Sequence, residues 1–193
     1  MDAQTVSDQI EKVSNARTPY LDGKIFSMTL ILAYRLGLKR QEIIDLNIGD
    51  IMKGRGTILK TITINDAKID LSDDLQSIIH NHIKYLRIME YNLKKEAPLI
   101  PMRSKKRYHS RQMGYDSRKI YAECSVTPQM EKFRQAGICH YYEKLIKEGD
   151  SPSKALERAS HFARRTQRQT LGIITGTMYK ENKLQRHRPT DAW

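Results

Sequence analysis

Basic side chains gather at three places along this chain. Lys39 and Arg40 stand together after an apolar run. Arg103, Lys105, Lys106, Arg107, Arg111, Arg118 and Lys119 crowd a segment punctuated by Pro, Gly, Ser and Tyr, and Arg158, Arg164, Arg165 and Arg168 surround His161. Such groups bind oxyanions. A guanidinium donates two parallel N–H bonds to phosphate oxygens, an ammonium supplies a point charge, and an imidazole holds or releases a proton near neutrality. Along the whole chain, 34 Lys+Arg against 22 Asp+Glu leave a formal charge of +12. That surplus attracts polyanions and makes nucleic acid the default partner. A merely basic soluble protein is the plainer alternative, and the clustering argues against it.

Other chemistries find less support. The two cysteines, Cys124 and Cys139, lack metal-ligand spacing and suggest a reducing, cytoplasmic setting; neither metal nor cofactor is expected. The longest apolar run, residues 25–38, falls short of the roughly 20 residues of a membrane helix, and residues 1–8 lack the features of a signal peptide. An RNA-binding or protein-interaction module is a third reading, which no aromatic-rich strand motif supports.

The elements that must position these residues can be read from periodicity. Val6, Ile10 and Val13 predict a helix over 3–15; Ile25, Met28, Leu32 and Leu36 predict a buried one over 21–38, with Gly37 as a left-handed cap. A short helix is expected over 39–46. Residues 57–64, rich in β-branched side chains, read as a strand, followed after Asn65-Asp66 by a second through Ile69 and Leu71. Ser72 opens a helix to about residue 92. Residues 97–126 read as a basic loop with a short helix over 116–124. Further helices are expected from Pro128 to Lys147, from Pro152 to about residue 165, and over 171–183. The sum is a mainly helical α+β domain over 1–183, helices around a small antiparallel hairpin or three-stranded sheet, with a polar tail over 184–193.

Residues 34–51, Y-R-L-G-L-K-R-Q-E-I-I-D-L-N-I-G-D-I, resemble the first signature box of the tyrosine recombinases (phage integrase family), G-L-R-x-x-E-L-x-x-L-x-x-x-D-I. Every anchor is in register except the first catalytic arginine, whose position holds Lys39; Arg40 is the neighbouring alternative. V-T-P-Q-M-E-K-F-R resembles the family's second box and puts Arg134 on its catalytic arginine, but Glu131 or Gln129 stands where a histidine is usual. Twelve residues beyond Gly149, at the family's offset, stands His161, preceded by Ser160 rather than Gly.

The resemblance implies a hairpin lysine, with Lys60 preferred and Lys68 as runner-up, and a nucleophilic tyrosine about nine residues after His161. That position is Thr170; Tyr179 could serve across a nine-residue insertion. The implied set is therefore Lys39, Lys60, Arg134, His161 and Tyr179 for catalysis without metal. Arg40, Arg103, Lys105, Lys106, Arg107, Arg111, Arg164, Arg165 and Arg168 are expected to contact DNA. Three departures (Lys39, the missing histidine and the displaced tyrosine) favour a sequence-specific duplex DNA-binding protein with catalysis reduced or lost. An active recombinase forming a 3′-phosphotyrosine link is the alternative. Self-association on DNA through the C-terminal segment, and residence in a nucleoid or in the host cytosol of a phage or plasmid, complete the expectation.

Overall fold

The computed structural model describes residues 1–186 except positions 20, 55, 127 and 128, with side chains described as far as residue 176. In chain order the elements are α1 (Ala3–Ser14), α2 (Gly23–Leu36), α3 (Arg40–Asp45), α4 (Ile48–Ile51), β1 (Met52–Lys53), β2 (Thr57–Ile58), β3 (Thr61–Ile64), β4 (Ala67–Asp70), α5 (Asp73–Ile88), α6 (Ser110–Glu123), α7 (Met130–Lys147), α8 (Pro152–Ala163) and α9 (Gln167–Arg186). One cluster of buried apolar side chains runs from Val6 in α1 to Ala136 in α7.

Helix α2 is the central post. The Asp22 carboxylate caps its start by accepting from the Lys24 and Ile25 N–H groups, and Gly37 ends it in the left-handed region at φ 61°, as expected. Against it lies α7, and the approach is close at Gly137, where an added Cβ would sit 1.9 Å from the Tyr34 carbonyl oxygen. This crossing, together with α8 behind it, sets the amino-terminal half of α7 beside the carboxyl-terminal end of α2. The first and second sequence boxes meet there.

The mainly helical class with a small antiparallel hairpin is as the sequence predicted, but strand detail differs. The run 57–64 is two short strands: β2 pairs with β1, and β3 pairs with β4 in the register Ile62↔Ile69 and Thr63↔Lys68. The break comes at Leu59-Lys60, because the Leu59 N–H bonds to the Ile51 carbonyl and the Lys60 carbonyl accepts from Leu71. Asn65 and Asp66 turn the β3–β4 hairpin with φ of 47° and 64°, the two left-handed residues that a tight two-residue turn demands. Helix α5 stops earlier than expected, at Ile88, because Glu90 turns left-handed at φ 56° and the Tyr91 N–H closes back on the Leu86 carbonyl. Helix α6 begins six residues earlier than the short helix expected from residue 116, so much of the supposed basic loop is helical.

Candidate nucleic-acid interface

Three arginines of the expected site turn inward. Arg134, on the core-facing side of α7 beside Phe133, is 1% exposed and is the largest fully buried side chain among the described residues. Its Nε donates to the Gly37 carbonyl (2.7 Å), Nη2 to the Ala163 carbonyl (2.6 Å) and Nη1 to Glu131 Oε1 (3.2 Å). It therefore joins the ends of α2 and α8, where exposed helix carbonyls carry partial negative charge. Burial, then the nearby Arg165 and Arg164, lower its pKa, and Glu131 opposes them. The expected phosphate-facing arginine is, in this structure, an internal tie.

Arg164 is the second inward guanidinium. It caps α8 with left-handed backbone, φ 49° and ψ 48°, which directs the side chain back under the helix. Its Nε and Nη2 make a fork, each 3.0 Å from one oxygen of Glu42, and Nη2 also reaches the Gly37 carbonyl at 2.6 Å. Glu42 in turn accepts from the Lys39 backbone N–H and from Asn65 Nδ2 at the hairpin turn. Burial alone would raise the Glu42 pKa, but the Arg164 and Lys39 hydrogen bonds outweigh it and hold the carboxyl below the usual range. The Arg164 side chain is thus turned inward and mostly buried.

The third is Arg107, which donates to the Ile44 and Glu96 carbonyls and to Asn47 Oδ1. It clamps the base of a finger whose tip carries exposed Ser104, Lys105 and Lys106. Arg103, exposed, donates to the Pro19 carbonyl. Arg165 is half-buried: its Nη2 lies 2.9 Å from Glu131 Oε1, and its Nε is buried without a partner among the described residues.

Several of the remaining expected residues fall on two surfaces. His161, in the last turn of α8, is exposed and lines a groove of about 820 Å³ between α2, β4, α7 and α8. Lys68 lines the same groove, with Arg35, Lys144, Arg158 and the stacked Tyr141–Phe162 pair, whose centroids are 4.5 Å apart. Lys60, the preferred hairpin lysine, lies instead at the β2–β3 bend outside this groove, because the expected single strand is broken there. Arg134 is not across the molecule from His161, since it bonds the carbonyl of Ala163, two residues on; one is buried and the other exposed. Thr170, nine residues after His161, is fully buried with its hydroxyl donating to the Thr166 carbonyl. Position 179 lies in α9, but the Tyr179 side chain is outside those described.

The second surface is α6. Arg111, Tyr115, Arg118 and Lys119 recur at i, i+4, i+7 and i+8 and all are exposed, while Met113, Gly114, Ile120 and Tyr121 face the core. Tyr115 is 50% exposed, with Lys119 Nζ 4.9 Å from its ring centroid. Arg40 runs beside this helix: a Cβ on Gly114 would lie 2.8 Å from Arg40 Nη1. Lys39 is exposed at the cap of α3, and Arg168 in the first turn of α9 is exposed too. Sequence reasoning noted Arg118 and Lys119 as basic residues but missed Tyr115 and the shared face; the four-and-three spacing was the available signal.

Three solved structures share this architecture. The crystal structure of XerA recombinase superposes with a TM-score of 0.66 at 11% identity, covering 98% of this chain and 63% of that one. The Tn1549 transposon integrase (residues 82–397), solved in complex with circular intermediate DNA, gives 0.63 at 11% identity over 90% of this chain and 59% of that one. The fold is that of the tyrosine recombinases. The lambda integrase dimer (residues 75–356), bound to a COC′ core site, gives 0.59 at 10% identity, covering 98% and 59%. The chain thus spans about three fifths of these recombinase-fold structures. No family model matches the sequence, and no curated protein does. Among the described residues no helix is long and apolar enough to cross a membrane, and no group of three His, Cys, Asp or Glu is placed to hold a metal ion.

Proposed function

We propose that the protein binds duplex DNA sequence-specifically on a recombinase scaffold, with strand cleavage reduced or lost. The observation that carries this is the partition of its cations. Arg134 and Arg164 are held by main-chain carbonyls and carboxylates inside the fold, whereas Arg111, Arg118, Lys119, Lys105 and Lys106 remain exposed. Transition-state stabilisation needs donors aimed at the reacting phosphate, and an inward guanidinium cannot serve without losing its present bonds. A lysine at position 39 lacks the bidentate fork, and Thr170 offers no phenol. Binding has no such geometric demand, since each exposed cation that meets a phosphate releases counterions.

The 14 residues of α6 would extend about 21 Å and fit the roughly 12 Å wide major groove. There Arg111 and Arg118 would read guanine edges, Tyr115 would pack on a base or methyl group, and the finger lysines would hold phosphates. Self-association on DNA through α9 and a cytoplasmic setting belong to the same reading. A second reading, an active recombinase using Lys39 or Arg40, Lys60 (or the runner-up Lys68), Arg134, His161 and Tyr179, is favoured by one observation: Lys68 and His161 share an open groove.

Fluorescence anisotropy with duplexes selected from a random pool tests the binding surface. Arg118→Glu with Lys119→Glu should abolish the preference and weaken binding, with a shallower salt dependence. Unchanged affinity in that double variant would refute α6 as the DNA face.

A further inference from the structure

A separate cleft of about 640 Å³ lies between the α1–α2 link and the carboxyl-terminal end of α5; it shares no lining residue with the groove at His161 or with α6. The charged residues lining it are Arg17, Lys24 and Arg103 against Asp22 alone, a surplus of two positive charges. All three cations are exposed, and none forms an ion pair among the described residues. The Asp22 carboxylate is committed to neutral donors. Its Oδ1 accepts from the Lys24 and Ile25 N–H groups at 3.0 and 3.2 Å, and its Oδ2 from the Tyr85 hydroxyl at 2.7 Å. Burial first, and Asp22 second, push the Tyr85 phenol up, so it remains a donor. Arg103 donates to the Pro19 carbonyl, which leaves its charge unmatched, and that charge is felt at both Tyr85 and Tyr91.

The same cleft has an apolar side. Lys24 Nζ stands 4.8 Å from the Tyr85 ring centroid, and Met89, 47% exposed, lines the cleft with half-buried Leu21. We propose that this cleft binds a nucleotide-type phosphate monoester, its phosphate held by Arg17, Lys24 and Arg103 and its flat base against Tyr85 and Met89. A phosphate monoester carries about −1.5 to −2 charges near neutral pH, which matches the surplus, whereas a carboxylate supplies only one. The first N–H groups of α2 are already capped by Asp22, so recognition of the anion falls to the three side chains. The volume is that of a small-molecule site, and phenol and thioether faces suit a nucleobase. This site stands independently of the DNA-binding reading.

The test is isothermal titration calorimetry of the full chain at constant ionic strength, with deoxyadenosine 5′-monophosphate as probe. Saturable binding is expected, at least about tenfold tighter than for deoxyadenosine or inorganic phosphate, since each lacks one half of the contacts. Lys24→Gln and Arg17→Gln should each weaken it about fivefold, the upper end for a solvent-exposed ion pair. Because both side chains are exposed, the unliganded variants should melt within about 2 °C of wild type. Lys12→Gln, on a neighbouring cavity and not on this cleft, should leave the affinity unchanged. No saturable binding at millimolar nucleotide, equal affinity for inorganic phosphate, or affinity untouched by Lys24→Gln and Arg17→Gln would each overturn the proposal.

A second arm separates a free nucleotide from a strand end, with a single-stranded trinucleotide bearing a 5′-phosphate as competitor. Displacement of the mononucleotide, weakened in Lys24→Gln, assigns the cleft to phosphorylated strand ends; no displacement assigns it to the free nucleotide. Arg118→Glu with Lys119→Glu should keep the mononucleotide affinity, and loss of binding there would place the nucleotide on α6 and overturn the cleft. Wild type failing to bind duplex would overturn the DNA-binding reading and leave the nucleotide arm intact.

Discussion

Arg134→Met separates an internal tie from a phosphate-binding arginine. Methionine keeps much of the aliphatic volume but removes the donors to the Gly37 and Ala163 carbonyls. The Gly37 carbonyl keeps its bond from Arg164 Nη2, but the Ala163 carbonyl loses its donor, and a buried polar group left without its partner costs about 1–3 kcal/mol. The Glu131 contact adds little, because that carboxylate is 46% exposed and screened by solvent. Against a total stability of about 5–15 kcal/mol this is a large fraction. For a domain of this size each 1 kcal/mol shifts Tm by about 2–4 °C, giving a fall of roughly 2–12 °C. Scanning calorimetry of the DNA-free protein measures it directly. A fall under about 2 °C, joined to a clear loss of DNA affinity, would refute the argument and return Arg134 to the phosphate.

Other expectations concern the same joint and the proposed DNA face. Because the Glu42 pKa is depressed in the fold, its contribution to stability is present above the ordinary value of 4.5 and is lost as pH falls through the depressed folded value. Glu42→Gln should therefore flatten the acid limb of Tm against pH, and an unaltered limb would count against the Arg164–Glu42 fork. Gly137→Ala places a Cβ 1.9 Å from the Tyr34 carbonyl and forces α2 and α7 apart; insoluble protein or a Tm loss above about 8 °C is expected, whereas near-native melting would contradict the close crossing. Lys105→Glu with Lys106→Glu should weaken binding to all duplexes alike and lower the salt slope by roughly 2, measured by anisotropy; a sequence-dependent effect would move these lysines from phosphate to base contact.

How much of this was legible depended on whether the partner was local. Gly37 as a left-handed cap and the hairpin at Asn65-Asp66 follow from nearest-neighbour rules, and both are present. The hydrophobic stripe of α2 was equally plain. The direction of Arg134 was not, although Phe133, Gly137 and Ile138 around it already mark a core-facing side. Whether a guanidinium at a core edge meets a phosphate or a carbonyl depends on Gly37 and Ala163, 97 and 29 residues away. The break at Lys60 likewise comes from bonds to Ile51 and Leu71 that no β-propensity encodes. Helix α6 was hidden because Gly114, Ser110 and Ser117 lower its intrinsic propensity; burial of Met113, Ile120 and Tyr121 holds it.

The central claim, binding without cleavage, meets its most direct test in a single sample. The protein is incubated with nicked derivatives of the duplexes it selects from a random pool, then run in parallel on native and denaturing gels. The account predicts a shifted complex on the native gel and free, uncut DNA after denaturation. A protein–DNA adduct that survives denaturation and vanishes with Tyr179→Phe would contradict it.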